Sequence, residues 1–156
     1  MKEVFITGAT GYIGKRLTKQ LLLRRHNVIA LVRKGSEQKV VAGATIVTAD
    51  PFEPNSFQAF IPKGSVFVQL LGVSHPSPKK AQQFKEIDLR SIKASADAAA
   101  TAQVSHFIYI SVAMTPLKIM AAYQSVMPNY FSGDRDLVSL LHRALRGRKR
   151  LRRMLH

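Results

Sequence analysis

A strand, a glycine turn and a helix follow one another directly in Val4-Phe5-Ile6-Thr7-Gly8-Ala9-Thr10-Gly11-Tyr12-Ile13-Gly14. The β-branched and aromatic run before Gly8 reads as a buried strand. Glycines recur at 8, 11 and 14, and a helical pattern begins at once with Ile13, Leu17, Gln20 and Leu21. That context favours a phosphate-binding loop over a plain structural turn. A glycine at 8 can take positive φ and leave the strand sharply. Without a Cβ at Gly11, a pyrophosphate can approach the main chain, and Gly14 lets the helix pack tightly on the strand. The helix start adds free N–H groups and a partial positive charge. Gly8, Thr10, Gly11, Tyr12, Ile13 and Gly14 are therefore the first candidate cofactor contacts.

The rest of the chain extends this unit. A helix is expected over 12–25, with Leu17, Leu21 and Leu22 facing a sheet, then a strand over Asn27–Val32. The second strand is apolar nearly throughout, as a parallel strand covered on both faces should be. Strand, helix and strand make a βαβ unit with a right-handed crossover. Arg33 and Lys34 follow at the strand's carboxyl end. Dinucleotide folds place an acidic residue there for the ribose hydroxyls, or an arginine for a 2′-phosphate. The acidic residue is missing, which favours NADP(H) over NAD(H); the competing reading is two solvated loop charges. Further strands are expected over 45–48, 66–72 and 106–112, with a short helix over 55–60. A long helix is expected over 79–102, its apolar positions being Phe84, Ile87, Ile92, Ala96, Ala99 and Ala100. In such a sheet the strand order reverses between the first and fourth strands, so Leu71 and Gly72 should border the adenosine. His75 follows in a proline-containing loop, where a solvent-exposed histidine is the simpler reading than a pocket residue.

Thr7-Gly8-Ala9-Thr10-Gly11-Tyr12-Ile13-Gly14 resembles the opening of extended and atypical short-chain dehydrogenases/reductases, particularly the NmrA-like NAD(P)-binding group. The resemblance covers roughly residues 2–126 and is most specific in the glycine loop. It implies that Asp50, at the end of the third strand, lies near the adenine ring; a turn-capping aspartate reads equally well there. It also implies that Ser111 can polarise a substrate carbonyl, and that the long helix can serve a homodimer. The family's catalytic Tyr-x-x-x-Lys pattern is incomplete, because the run is Tyr123-Gln124-Ser125-Val126-Met127. A methionine can neither lower the tyrosine pKa nor anchor the nicotinamide ribose, so Tyr123 reads either as a catalyst without its lysine or as a packed residue.

Charge separates two regions. Residues 1–126 carry 16 basic and 7 acidic side chains, and residues 127–156 carry 8 and 2. A basic body suits an anionic cofactor but also nonspecific attraction to nucleic acid. The tail holds one amphipathic stretch, with Leu137, Val138, Leu140, Leu141, Ala144 and Leu145 on one face. It can lie on lipid or nucleic acid, dock on the domain, or mark a departure from the ancestral reading frame near Met127. The abrupt loss of resemblance where the lysine should stand favours the third reading over nucleic-acid or membrane contact. There is no cysteine, so no disulfide framework and no thiolate metal site; no metal ligand set is expected. No apolar run approaches a membrane span, and the chain opens on a strand instead of a leader, so a cytoplasmic protein is expected.

The expectation is therefore a three-layer, doubly wound α/β fold of Rossmann type, altered or truncated at its C-terminus, with strand order 3-2-1-4-5. Residues 1–126 form the NAD(P)-binding domain and 127–156 a basic helical tail. Two functions fit it. One is an NADP(H)-preferring oxidoreductase or epimerase-like enzyme acting on an unidentified small molecule, with Ser111 and Tyr123 at the substrate. The other is a non-catalytic, NmrA-like NADP(H) sensor or partner-binding module.

Overall fold

The computed structural model describes residues 1–72 and 84–110. Five strands, β1 (Glu3–Thr7), β2 (Asn27–Val32), β3 (Thr45–Thr48), β4 (Val66–Gln69) and β5 (His106–Tyr109), form one sheet in the order β3-β2-β1-β4-β5. Every pairing is parallel. This is the expected doubly wound sheet, with the order reversing at β1.

The two faces are covered by different means. On one face Val4, Ile6, Val28, Ala30 and Val68 pack against Leu17, Leu21 and Leu22 of α1 (Tyr12–Leu23). On the other, Phe5, Leu31, Val47, Phe67 and Phe107 pack against Phe57, Ile61 and the alanines Ala98 and Ala99 of α2 (Arg90–Thr101). Period-2 alternation along each strand sorts the side chains between these faces. Phe5, Phe67 and Phe107 are register neighbours on β1, β4 and β5, with ring centroids 5.2 and 5.3 Å apart. Such aromatic pairs contribute about 0.5–1.5 kcal/mol each beyond area burial.

Several boundaries depart from the sequence expectation. α1 stops at Leu23, two residues early, because Arg25 takes φ +59° and its N–H and that of His26 turn back onto the Leu22 and Leu21 carbonyls. This double closure satisfies carbonyls that the helix end leaves open. The helix expected over 55–60 is two 3₁₀ turns, Pro54–Ser56 and Gln58–Phe60. Pro54 cannot donate, and the Ser56 hydroxyl bonds the Asp50 and Glu53 carbonyls, so no α-helical ladder starts. β4 ends at Gln69, three residues sooner than expected, and the described pairing of β5 ends at Tyr109. Within the long helix, Phe84–Leu89 form a wider π turn before α2, and Ala100 faces solvent. The sheet-facing positions of α2 include Ser91, Ala94, Ser95 and Ala98, small residues that permit close approach. Residues 79–83 of that expected helix, and the expected residues 111–112 of β5, lie outside the described residues.

Candidate functional site

Because all five strands are parallel, their carboxyl ends share one edge. The glycine loop leaves β1 there, Arg33 and Lys34 leave β2, Ala49 and Asp50 leave β3, and Leu70 to Gly72 leave β4. Between β1 and β4 the connections depart in opposite directions, which opens a crevice at that edge.

Three close approaches shape the loop. Gly8 has φ +71°, and a Cβ on it would sit 2.7 Å from both the Leu70 carbonyl carbon and the Leu71 nitrogen. Gly14, the first fully buried residue of α1, lies on the main chain of Ala9, whose Cα is 2.7 Å from where a Cβ would stand. Gly11 differs: its Cβ position is exposed and meets only the Gly8 carbonyl oxygen, at 3.3 Å. Gly8 and Gly14 are therefore demanded by packing, whereas Gly11 leaves room beside the main chain.

Gly11 is also the N-cap of α1. Its N–H donates to the Gly8 carbonyl at 3.1 Å, and its own carbonyl accepts from Lys15 at 3.0 Å. No side chain caps this helix end and no acidic residue stands in its first turn. The N–H groups of the first turn thus face outward with the positive end of the helix dipole, an arrangement suited to an anion. Thr10 is half-buried in the loop, while Tyr12 and Ile13 are exposed. Ile13 stands at the open edge, while Leu17, Leu21 and Leu22 take the sheet-facing positions.

The other expected residues divide. Arg33 and Lys34 are exposed at the same edge. Asp50 holds a turn, its Oδ1 accepting the Phe52 N–H at 2.9 Å, so the turn-capping reading is realised in the fold. Leu71 is half-buried beside Gly8, and Gly72 has the Asp88 carboxylate against it, 2.7 Å from its Cβ position. His75, Ser111, Tyr123 and the basic tail lie outside the described residues. Among the described residues, no group of three or more His, Cys, Asp or Glu could hold a metal ion, and no helix is long and apolar enough to cross a membrane.

Sequence reasoning missed three contributors. Arg16, in the first turns of α1, lies over the Tyr12 ring with its Cζ 3.6 Å from the centroid, adding a cation beside the loop. Asp88 lines Gly72, and nothing in its helical surroundings marks it. Gln69, fully buried at the end of β4, is the one with a visible signal: a polar side chain inside the apolar run Val66-Phe67-Val68-Gln69-Leu70-Leu71.

Comparison with known proteins agrees with this geometry. The fold is similar to that of a UDP-glucose 4-epimerase, with TM-score 0.68 and 17% identity over 84% of this chain and 47% of that one. It is also similar to the UDP-glucose 4-epimerase of Thermotoga maritima solved with UDP-glucose, at TM-score 0.64 and 14% identity over 86% and 52% of the two chains. The NAD complex of the Thermus thermophilus UDP-glucose 4-epimerase matches at TM-score 0.60 and 19% identity, over 70% and 37%. The chain thus spans about half the length of these structures or less. A search of curated protein sequences gives no match. Residues 8–142, beginning at the first glycine of the loop, match the NAD(P)H-binding family. Because that match takes in most of the chain, the chain belongs to the NAD(P)H-binding family.

Proposed function

We propose that the chain binds NADP(H) in preference to NAD(H), and that it is an oxidoreductase or epimerase-like relative acting on a small molecule. The observation that carries the binding reading is the uncapped start of α1 at the strand-order reversal, with Gly11 open beside it. The first-turn N–H groups at Tyr12, Ile13 and Gly14 would receive the pyrophosphate, and Gly8 and Gly14 would hold the loop in shape. Arg33, with Lys34, would take the 2′-phosphate, since a guanidinium matches phosphate oxygens bidentately and no acidic side chain occupies either position. Leu71 and Gly72 would border the adenosine, and Asp50, beyond its turn, would stand near the adenine. A nicotinamide bound in this crevice supplies hydride transfer. Ser111 and Tyr123 would orient the substrate's carbonyl or hydroxyl. Residues 1–126 would form the cofactor domain, with 127–156 as a basic extension.

A second reading has its own support. Met127 stands where the family's lysine would serve the tyrosine, which favours a non-catalytic NADP(H) sensor or a module that binds a partner, a second copy of the chain included. Incubating the protein with NADPH and a panel of aldehydes, ketones and nucleotide sugars, and following nicotinamide absorbance, separates the two. Turnover that Tyr123→Phe or Ser111→Ala lowers at least tenfold supports the enzyme. Tight NADPH binding with no turnover across the panel supports the sensor.

A further inference from the structure

We propose that Gln69 is the positioning residue of the crevice wall. Its side-chain amide fixes the Leu70–Gly72 exit of β4 against Gly8, so that wall and glycine loop face one ligand. The identity of that ligand rests on the dinucleotide reading above; the positioning itself does not.

Thr7, Gln69 and Tyr109 are register neighbours on β1, β4 and β5, two residues along the strands toward the carboxyl edge from Phe5, Phe67 and Phe107 and on the same face. On β1 and β4 the row therefore changes from aromatic to polar where the sheet meets the crevice. A buried polar group is tolerated only when its hydrogen bonds are made, and Gln69 makes all four. Its Oε1 accepts from the Thr7 hydroxyl and from the Ser95 hydroxyl, the latter at 3.3 Å. Its Nε2 donates to Ser91 Oγ at 3.0 Å and to the Leu71 carbonyl at 3.3 Å. The Leu71 carbonyl can only accept, which fixes the orientation of the amide. Thr7, Gln69, Ser91 and Ser95 are all buried, so the side-chain bonds among them are shielded from water, while the bond to the Leu71 carbonyl is part-buried.

The two bonds of Nε2 reach both sides of the wall. One holds Leu71, whose nitrogen borders Gly8. The other holds Ser91, whose hydroxyl donates to the Asp88 carbonyl at 3.1 Å, and the Asp88 carboxylate lies against Gly72. A single amide thus links β1, β4 and α2 at the point where the loop and the wall approach each other. A purely structural filler at 69 would need none of these directions, and an apolar residue would suit the surrounding strand better.

The test compares the full chain with Gln69→Leu, and with Gln69→Leu combined with Ser91→Ala and Ser95→Ala. The combined variant removes two of the four partners that Gln69→Leu would strand, the Ser91 and Ser95 hydroxyls, and so keeps the fold testable if the single variant fails to fold. Amide hydrogen exchange without nucleotide should accelerate about tenfold at residues 70–72 and 88–89, while Val4–Ile6 and Val66–Val68 keep their protection. Unchanged exchange at 70–72, or acceleration spread over the whole sheet, overturns the proposal. NADPH affinity should fall about tenfold in the same variants; wild-type affinity alongside loosened 70–72 overturns the role at the ligand. Local acceleration in a protein whose wild type binds neither NADPH nor NADH upholds the positioning and overturns the dinucleotide reading instead.

Discussion

Gly8 and Leu71 meet through their main chains: a Cβ on Gly8, held at φ +71°, would stand 2.7 Å from the Leu71 nitrogen. The exits of β1 and β4 are therefore in contact, and the crevice between them has no room for a side chain on its floor. Gly14 closes the same loop from the helix side, against Ala9.

These contacts predict a split among the three glycines. Gly8→Ala adds backbone strain to a clash with main-chain atoms, and Gly14→Ala adds the clash alone. Each should lower unfolding free energy by about 2 kcal/mol or more in urea titration. Gly11→Val should cost less stability than either of these and remove NADPH binding, because its Cβ meets only the Gly8 carbonyl oxygen, at 3.3 Å, and stands at the exposed helix start. A folded Gly11→Val protein with wild-type affinity would contradict the pyrophosphate assignment.

Arg33→Asp should reverse nucleotide preference. A carboxylate there repels a 2′-phosphate and can accept from ribose hydroxyls. Parallel titrations should show NADPH affinity falling at least tenfold while NADH affinity holds or rises. Unaltered selectivity would make Arg33 a solvated loop charge.

Among the described residues, α1 and α2 each close on a left-handed residue that is not glycine, Arg25 at φ +59° and Gln103 at φ +53°. The Gln103 and Val104 N–H groups close α2 on the Ala100 and Ala99 carbonyls, as Arg25 and His26 close α1. Glycine relieves the Cβ crowding of this conformation, so Arg25→Gly and Gln103→Gly should each raise stability by about 1 kcal/mol. A lower midpoint in either variant would show that its side chain contributes more than the strain costs.

Thr18 is fully buried on α1, and its hydroxyl has no hydrogen-bond partner among the described residues. Valine keeps the shape and removes the desolvated hydroxyl. Thr18→Val should stabilise the protein by about 1 kcal/mol, with nucleotide affinity unchanged.

The sheet was legible because its signals are local. Each strand is a short β-branched or aromatic run, and the glycine loop carries its own turn chemistry, so strand order followed from one motif and the general rule for such folds. Helix ends were less legible. Arg25 and Gln103 occupy positions where glycine is the usual stop signal, and no residue type announced either turn. The 3₁₀ pair at 54–60 escaped because Ser56 competes for carbonyls through contacts that a pattern of apolar residues does not encode. The site divided along the same line. Gly8, Gly11 and Gly14 were readable from spacing, and Gln69 left a trace as a polar residue in an apolar strand. Asp88 left none, since its place beside Gly72 depends on how the π turn before α2 packs, a long-range outcome.

The most direct test of the account is a parallel titration of the wild-type chain with NADPH and NADH, reading the melting temperature. A ligand at about one hundred times its dissociation constant adds roughly 2.7 kcal/mol of apparent stability. The account predicts a clear upward shift with NADPH and a smaller one with NADH at equal concentration. No shift with either nucleotide would contradict it.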